Sequence, residues 1–200
     1  MMLKQIMPLG GIMLLGLAGA GAQMAQSSPM AEEQVPHGSA DGTGSLAATI
    51  AAMPRNLPRA AAPALEASIR AAQAAQVACM HRGAKVSVLV ADVQGRPVVL
   101  LSGDGAGFRS QLIAQTKANI VARWRQPSIA VADRAGHDPA LAAQAAADPQ
   151  IGMLRGGGLP VMRKGTMIGI VAVSGASLEG GDLTLDEQCA RVAVSSLEAG

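Results

Sequence analysis

Along residues 63–200 the hydrophobic pattern changes period repeatedly, and each change marks an element. Pro63 suits a first helical position, where its missing N–H has no intrahelical partner to lose. Leu65, Ile69, Ala72, Gln76 and Cys79 then recur at helical spacing and predict a helix to Arg82, ended by Gly83. Val86, Val88 and Val90 alternate with Ser87, Leu89 and Ala91, giving a strand that turns through residues 92–95 into a second strand over residues 97–101. Helical spacing returns at residues 108–124, with Leu112, Thr116 and Ile120 on one face, Arg109 and Lys117 toward the other, and Pro127 as the stop. Asp138 and Pro139 form an N-cap and first-position pair that opens an alanine-rich helix ending before Pro149. Residues 159–163 and 166–173 read as a hairpin across Lys164 and Gly165. Thr184 and Glu187 have capping-box spacing and open a last helix with Leu185, Cys189 and Val192 turned inward.

Hairpins alternating with helices predict an α/β fold built on an antiparallel sheet, not the parallel sheet of a nucleotide-binding domain. Upstream the pattern is different. Lys4, an apolar run over residues 6–17 and the small residues that follow have the layout of a secretory signal, with Ala20 and Ala22 at the A-x-A positions. That run is too short to span a bilayer, which takes about 20 apolar residues. The expected organisation is a signal peptide at 1–22, a flexible leader at 23–62 carrying Pro29, Pro36, Pro54 and Pro58, and a folded domain at 63–200. The mature protein is then expected to be periplasmic or secreted, with no stable membrane anchor.

Charge and composition narrow the partners. The formal net charge is +2, of which Lys4 supplies one, and no run of like charges occurs. With one Trp, one Phe and no Tyr there is no stacking platform for bases, so a nucleic-acid partner is not expected.

Several segments carry candidate chemistry. The loop Gly103-Asp104-Gly105-Ala106-Gly107 precedes a helix, where backbone N–H groups and the helix dipole favour an anion, and Arg109 adds a charged donor. The same glycines also serve a tight connection needing positive φ, so the loop has both a ligand-binding and a purely structural reading. Lys117 can bind a carboxylate or lie solvated on its helix. Gly157, Gly158, Ser174 and Gly175 frame the second hairpin and serve either close packing or ligand contact. The histidines, His37, His81 and His137, lack metal-ligand spacing, which leaves any metal unknown. G-x-S-x-G is absent. The cysteines, Cys79 and Cys189, read as a pair in an oxidising compartment or as two buried thiols.

VSVLVADVQGRPVVLLSGDGAG and GGGLPVMRKGTMIGIVAVSGASLEGGDLTLDEQCARVAV together resemble the GlcG/HbpS family, which includes the glycolate-operon GlcG protein, secreted haem-binding HbpS proteins and the C-terminal domain of PduO. The resemblance implies profilin-like α/β/α layers, with about five antiparallel strands flanked by helices, and a homo-oligomer. It implies ligand-binding roles for Asp104, Gly105, Ala106, Arg109, Lys117, Gly157, Gly158, Ser174 and Gly175. The DEQCA segment implies a Cys79–Cys189 disulfide. Lys117-Ala118 matches the K-A pair of the family, but Asn119 and Ile120 stand where an aromatic residue and Thr commonly follow, so the hydroxyl available to haem there is lost. The expected function is an exported small-molecule or haem-binding protein acting in sequestration or sensing, with haem the cofactor to test and no catalytic residues assigned. The alternatives are an enzyme acting on a small oxidised organic acid or assisting haem degradation, and a structural oligomeric partner protein.

Overall fold

The structure, a computed structural model, describes residue 51, residues 60–176 and residues 184–199. The chain divides into Met1–Pro54 and Arg55–Gly200, and every element below belongs to the second unit. The signal-like segment and most of the expected leader lie outside the described residues.

Elements follow in the order α1 (Leu65–Met80), β1 (Ser87–Ala91), β2 (Pro97–Ser102), α2 (Arg109–Trp124), α3 (Ser128–Ala135), α4 (Pro139–Ala147), β3 (Gly158–Arg163), β4 (Thr166–Ser174) and α5 (Leu185–Ala199). The sheet runs β2-β1-β4-β3 with every neighbour antiparallel. Four strands are found among the described residues where about five were expected. Both hairpins form as the sequence predicts. The second turns on Lys164 and Gly165, with φ of 49° and 77°, the left-handed pair that a two-residue hairpin loop demands. Among the described residues no helix is long and apolar enough to cross a membrane.

β1 is buried along its whole length because both sheet faces are covered. Val88 and Val90 join the α1 and α5 side chains on one face. Leu89 and Ala91 meet Ala114, Ala118 and Val121 of α2 on the other. A third cluster, Ile120, Val131, Leu141, Ala145 and Ile151, seats α3 and α4 outside α2. The result is the α/β/α layering expected from the sequence.

Three helix faces differ from expectation. On α1 the buried residues are Ser68, Ala71, Ala72, Ala75 and Cys79, while Leu65 is 58% and Ile69 37% exposed. Small side chains face inward because α1 packs closely on α5, where Cys79 and Cys189 form a disulfide with their Cα atoms 5.7 Å apart. On α5, Asp186 is buried and Val192 is 41% exposed. On α2, Lys117 is buried and Leu112 is exposed. Pro127 does not merely end α2: Arg125 closes it in the left-handed conformation, and Pro127 is the N-cap of α3.

Candidate functional site

Two clefts collect the chemistry. The first lies where α2, α3, the residues before β3, the end of β4 and the start of α5 converge. Its core is an ion pair between Lys117 and Asp186, whose side chains are 3% and 5% exposed. Lys117 Nζ donates to Asp186 Oδ2 and to the Val173 carbonyl, each at 2.7 Å. Asp186 Oδ1 accepts from the Ala176 N–H at 2.9 Å. Burial pushes the Lys117 pKa below its ordinary value, against the opposing pull of Asp186, and the charge of Arg155 lowers it further.

Backbone geometry makes room for this pair. Gly157 has φ of 109°, and a Cβ there would lie 2.7 Å from the Val173 oxygen, 2.8 Å from Asp186 Cβ and 2.9 Å from Lys117 Nζ. Only glycine lets the strand entrance pass so near two buried charges. Gly158 is held by its N–H donating to Ser128 Oγ at 2.8 Å, so the first residue of α3 fixes the start of β3. The cleft beside the pair holds about 210 Å³ and has apolar walls from Ile113, Ile129, Ala132 and Leu154, with Arg155, Ser174 and Gly175 completing it.

The second cleft, about 430 Å³, lies between the last turns of α1 and the glycine loop. Val77, Met80, Ala84 and Val86 supply its apolar lining, and Gln73, Gln76, Lys85 and Asp104 its polar groups. The Gln76 Nε2 amide is buried and has no hydrogen-bond partner among the described residues. An unpartnered buried donor costs about 1–3 kcal/mol, so a ligand acceptor there would gain the full benefit of satisfying it. The loop itself is anchored by its backbone. Gly103 N–H donates to the Val86 carbonyl at 3.0 Å, and Ala106 N–H closes a turn on the Gly103 carbonyl at 2.9 Å. Ser87 Oγ joins Ser110 Oγ at 2.7 Å and Ser102 Oγ at 3.1 Å, tying loop, strand and helix together.

The residues singled out from sequence therefore separate. Lys117, Ser174 and Gly175 line the narrow cleft, with Gly157 behind the ion pair and Gly158 packed on the α2 backbone. Asp104 lines the wide cleft, and Gly105 stands beside the Lys85 side chain. Ala106 is a turn residue. Arg109 lies over the Phe108 ring, 5.6 Å from its centroid, and lines neither of these clefts. Sequence reasoning missed Asp186, although it opens the DEQCA segment; it placed Gln76 on the inner face of its helix and gave no role to Met80, in the last turn of α1, or to Lys85, in the loop before β1.

The wide cleft fits a haem edge better than the narrow one does. It combines apolar lining, a Met80 thioether, a Lys85 ammonium and the orphaned amide. Among the described residues, no His, Met or Cys lines the narrow cleft. Ile120, which replaces the hydroxyl expected from the family pattern, is fully buried in the α3/α4 cluster.

Residues 64–195 match the family described as haem degrading protein HbpS-like. The crystal structure of HbpS aligns at 35% identity with a TM-score of 0.60, covering 73% of this chain and 97% of that one. The Klebsiella pneumoniae protein ORFY aligns at 24% identity and TM-score 0.62, covering 74% and 98% of the two chains. A PduOC:haem complex aligns at 21% identity and TM-score 0.58, covering 68% and 94%. These last two likenesses concern the fold alone. No curated protein matches the chain. On the family match and the HbpS alignment, the chain belongs to the HbpS-like family.

Proposed function

We propose that this HbpS-like protein is a haem-binding protein acting in sequestration or sensing, and that it grips one edge of the macrocycle in the cleft between α1 and the glycine loop. The observation that carries the reading is the buried, unpartnered Gln76 amide on the wall of a cleft that also presents a thioether and an ammonium group. Its 430 Å³ falls within the range of about 300–1,000 Å³ usual for small-molecule sites, whereas the 210 Å³ of the narrow cleft falls below it. Met80 would offer a soft sulfur donor to the iron, Lys85 a counter-charge for one propionate and Gln76 a donor for a carboxylate oxygen. Val77, Ala84 and Val86 would exclude water from the ring edge. Haem, when bound, supplies the redox chemistry, and these side chains bind and orient it.

Export rests on the signal-like first residues, and a homo-oligomer on the outer edges of β2 and β3, which have no strand partner among the described residues. The family description favours a second reading in which bound haem is degraded. Titration with hemin followed by absorbance tests both. Binding predicts a saturable Soret shift that Met80→Ala alters and Lys85→Gln weakens. Continuing bleaching with reductant and oxygen would establish turnover instead, and a Soret band that neither substitution changes would remove the ligand from this cleft.

A further inference from the structure

The Lys117–Asp186 cleft has the makings of a second, independent site. Two protein acceptors take two of the three ammonium N–H groups of Lys117, while each oxygen of Asp186 already has a donor. The buried pair therefore keeps one donor on its cationic side, while both oxygens on its anionic side are already engaged. Arg155 lines the same cleft; its Nε donates to the Met153 sulfur at 2.8 Å, and its terminal amino groups meet no protein acceptor among the described residues. The Ser174 hydroxyl likewise engages no side chain or carbonyl among the described residues. Among the described residues, the charges that line the cleft, Lys117 and Arg155 against Asp186, leave an excess of one positive charge.

The opposite walls have a different character. Ile113, Ile129, Ala132 and Leu154 are aliphatic and cannot solvate a second anionic group. An inorganic oxyanion would leave oxygens facing those walls, whereas a carbon chain would bury against them. The volume, about 210 Å³, admits a few heavy atoms and not a cofactor.

We propose that this cleft binds a small aliphatic monocarboxylate, its carboxylate held by Lys117, Ser174 and Arg155 and its short hydrocarbon tail seated on Ile113, Ile129 and Leu154. The site is independent of haem binding at the α1 cleft.

Isothermal titration of the full chain with isobutyrate tests the assignment, using isobutanol and inorganic phosphate as controls and Arg155→Gln, Ser174→Ala and Met80→Ala as variants. Arg155 is exposed and Ser174→Ala preserves shape, so neither change threatens folding. Isobutyrate is expected to bind and to raise the unfolding midpoint, with isobutanol and phosphate at least tenfold weaker. Loss of the charged donor in Arg155→Gln is expected to weaken isobutyrate about tenfold, Ser174→Ala a few-fold, and Met80→Ala not at all. The proposal is overturned if isobutyrate fails to bind, if phosphate binds as well, or if affinity is unchanged in both Arg155→Gln and Ser174→Ala. A loss of affinity in Met80→Ala would place the carboxylate in the α1 cleft and equally overturn it. Hemin binding that fails while isobutyrate binding persists would remove the haem reading alone.

Discussion

Asp186 and Cys189 stand within one turn of each other on α5, yet they fasten that helix to different neighbours by different physics. Cys189 joins α5 covalently to α1, across a sequence separation of 110 residues. Asp186 joins it electrostatically to Lys117 of α2, in a setting where both side chains are almost wholly withdrawn from water. The disulfide acts mainly by restricting the unfolded chain and asks little of its surroundings beyond small neighbours. The ion pair acts only in the folded state, and it depends on every group that replaces its lost water: the Val173 carbonyl, the Ala176 N–H and the absent side chain of Gly157. A covalent tether therefore fixes α1, which forms one wall of the wide cleft, to α5, while a conditional tether shapes the narrow cleft. The buried charges are a weak device for stability and a strong one for presenting a donor to a ligand.

The largest expected effect comes from breaking the conditional tether on one side. Lys117→Met leaves the Asp186 carboxylate and the Val173 carbonyl buried without a cation, and is expected to destabilise by about 3–5 kcal/mol. The double variant Lys117→Met/Asp186→Leu removes both charges and is expected to recover more than half of that loss. Chemical denaturation of the three proteins, at equal m-value, measures both quantities. A double variant no more stable than the single one would mean that the pair itself, rather than the uncompensated charge, supplies the stability.

Removing the covalent tether is expected to cost less. Cys79→Ser with Cys189→Ser should destabilise by about 2–4 kcal/mol, below the roughly 4.7 kcal/mol that the chain-entropy model gives for a loop of this length. Isobutyrate affinity should stay within about twofold, because the disulfide fixes α1 to α5 and does not touch the narrow cleft. A large loss of that affinity on removing the disulfide would show that the two tethers are coupled through α5.

The two tethers also differ in how far the sequence announces them. The cysteines were marked by the DEQCA segment and by the compartment that the signal implies, and the hairpins by alternation and by Lys164-Gly165. The buried pair carried no such mark. Helical spacing assigned Lys117 to a polar face because long apolar residues, Leu112 among them, occupied what was taken as the inner one. The real inner face is set by Ala114, Ala118 and Val121, whose small size lets α2 lie close to the sheet. The same inversion occurred on α1, where Leu65 and Ile69 face outward and alanines face inward. In an alanine-rich chain, side-chain size ceases to report burial, because close helix packing selects small residues for the core. Helix α3 was missed for another reason: Pro127 is equally suited to following one helix and preceding the next, and only the left-handed Arg125 separates the two. The loop-borne residues Asp104 and Gly105 were legible as chemistry, but not the division of the candidates between two clefts, which depends on how α1 crosses the sheet.

The smallest expected effect distinguishes the tethers by pH alone. Burial is the main cause holding the Lys117 pKa below the ordinary 10.5, with Arg155 lowering it further and Asp186 opposing. Between its folded value and 10.5 the unfolded chain therefore binds more protons at this residue than the folded one, so its linkage term makes stability rise with pH. The contribution is complete above 10.5 and is lost as pH falls through the folded value. The disulfide has no such term, and the chain contains only two cysteines, both in that bond, so no thiol is available to reshuffle it as the solution becomes alkaline. Unfolding midpoints of the wild type and of Lys117→Met/Asp186→Leu, taken from neutral pH to 10.5, isolate the effect, because the other lysines titrate alike in both. The wild type is expected to gain on the double variant over that interval. If the wild type instead loses ground as pH rises, the attraction of Asp186 outweighs burial and the Lys117 pKa lies above 10.5, which would make the pair a stabilising tether in the same sense as the disulfide.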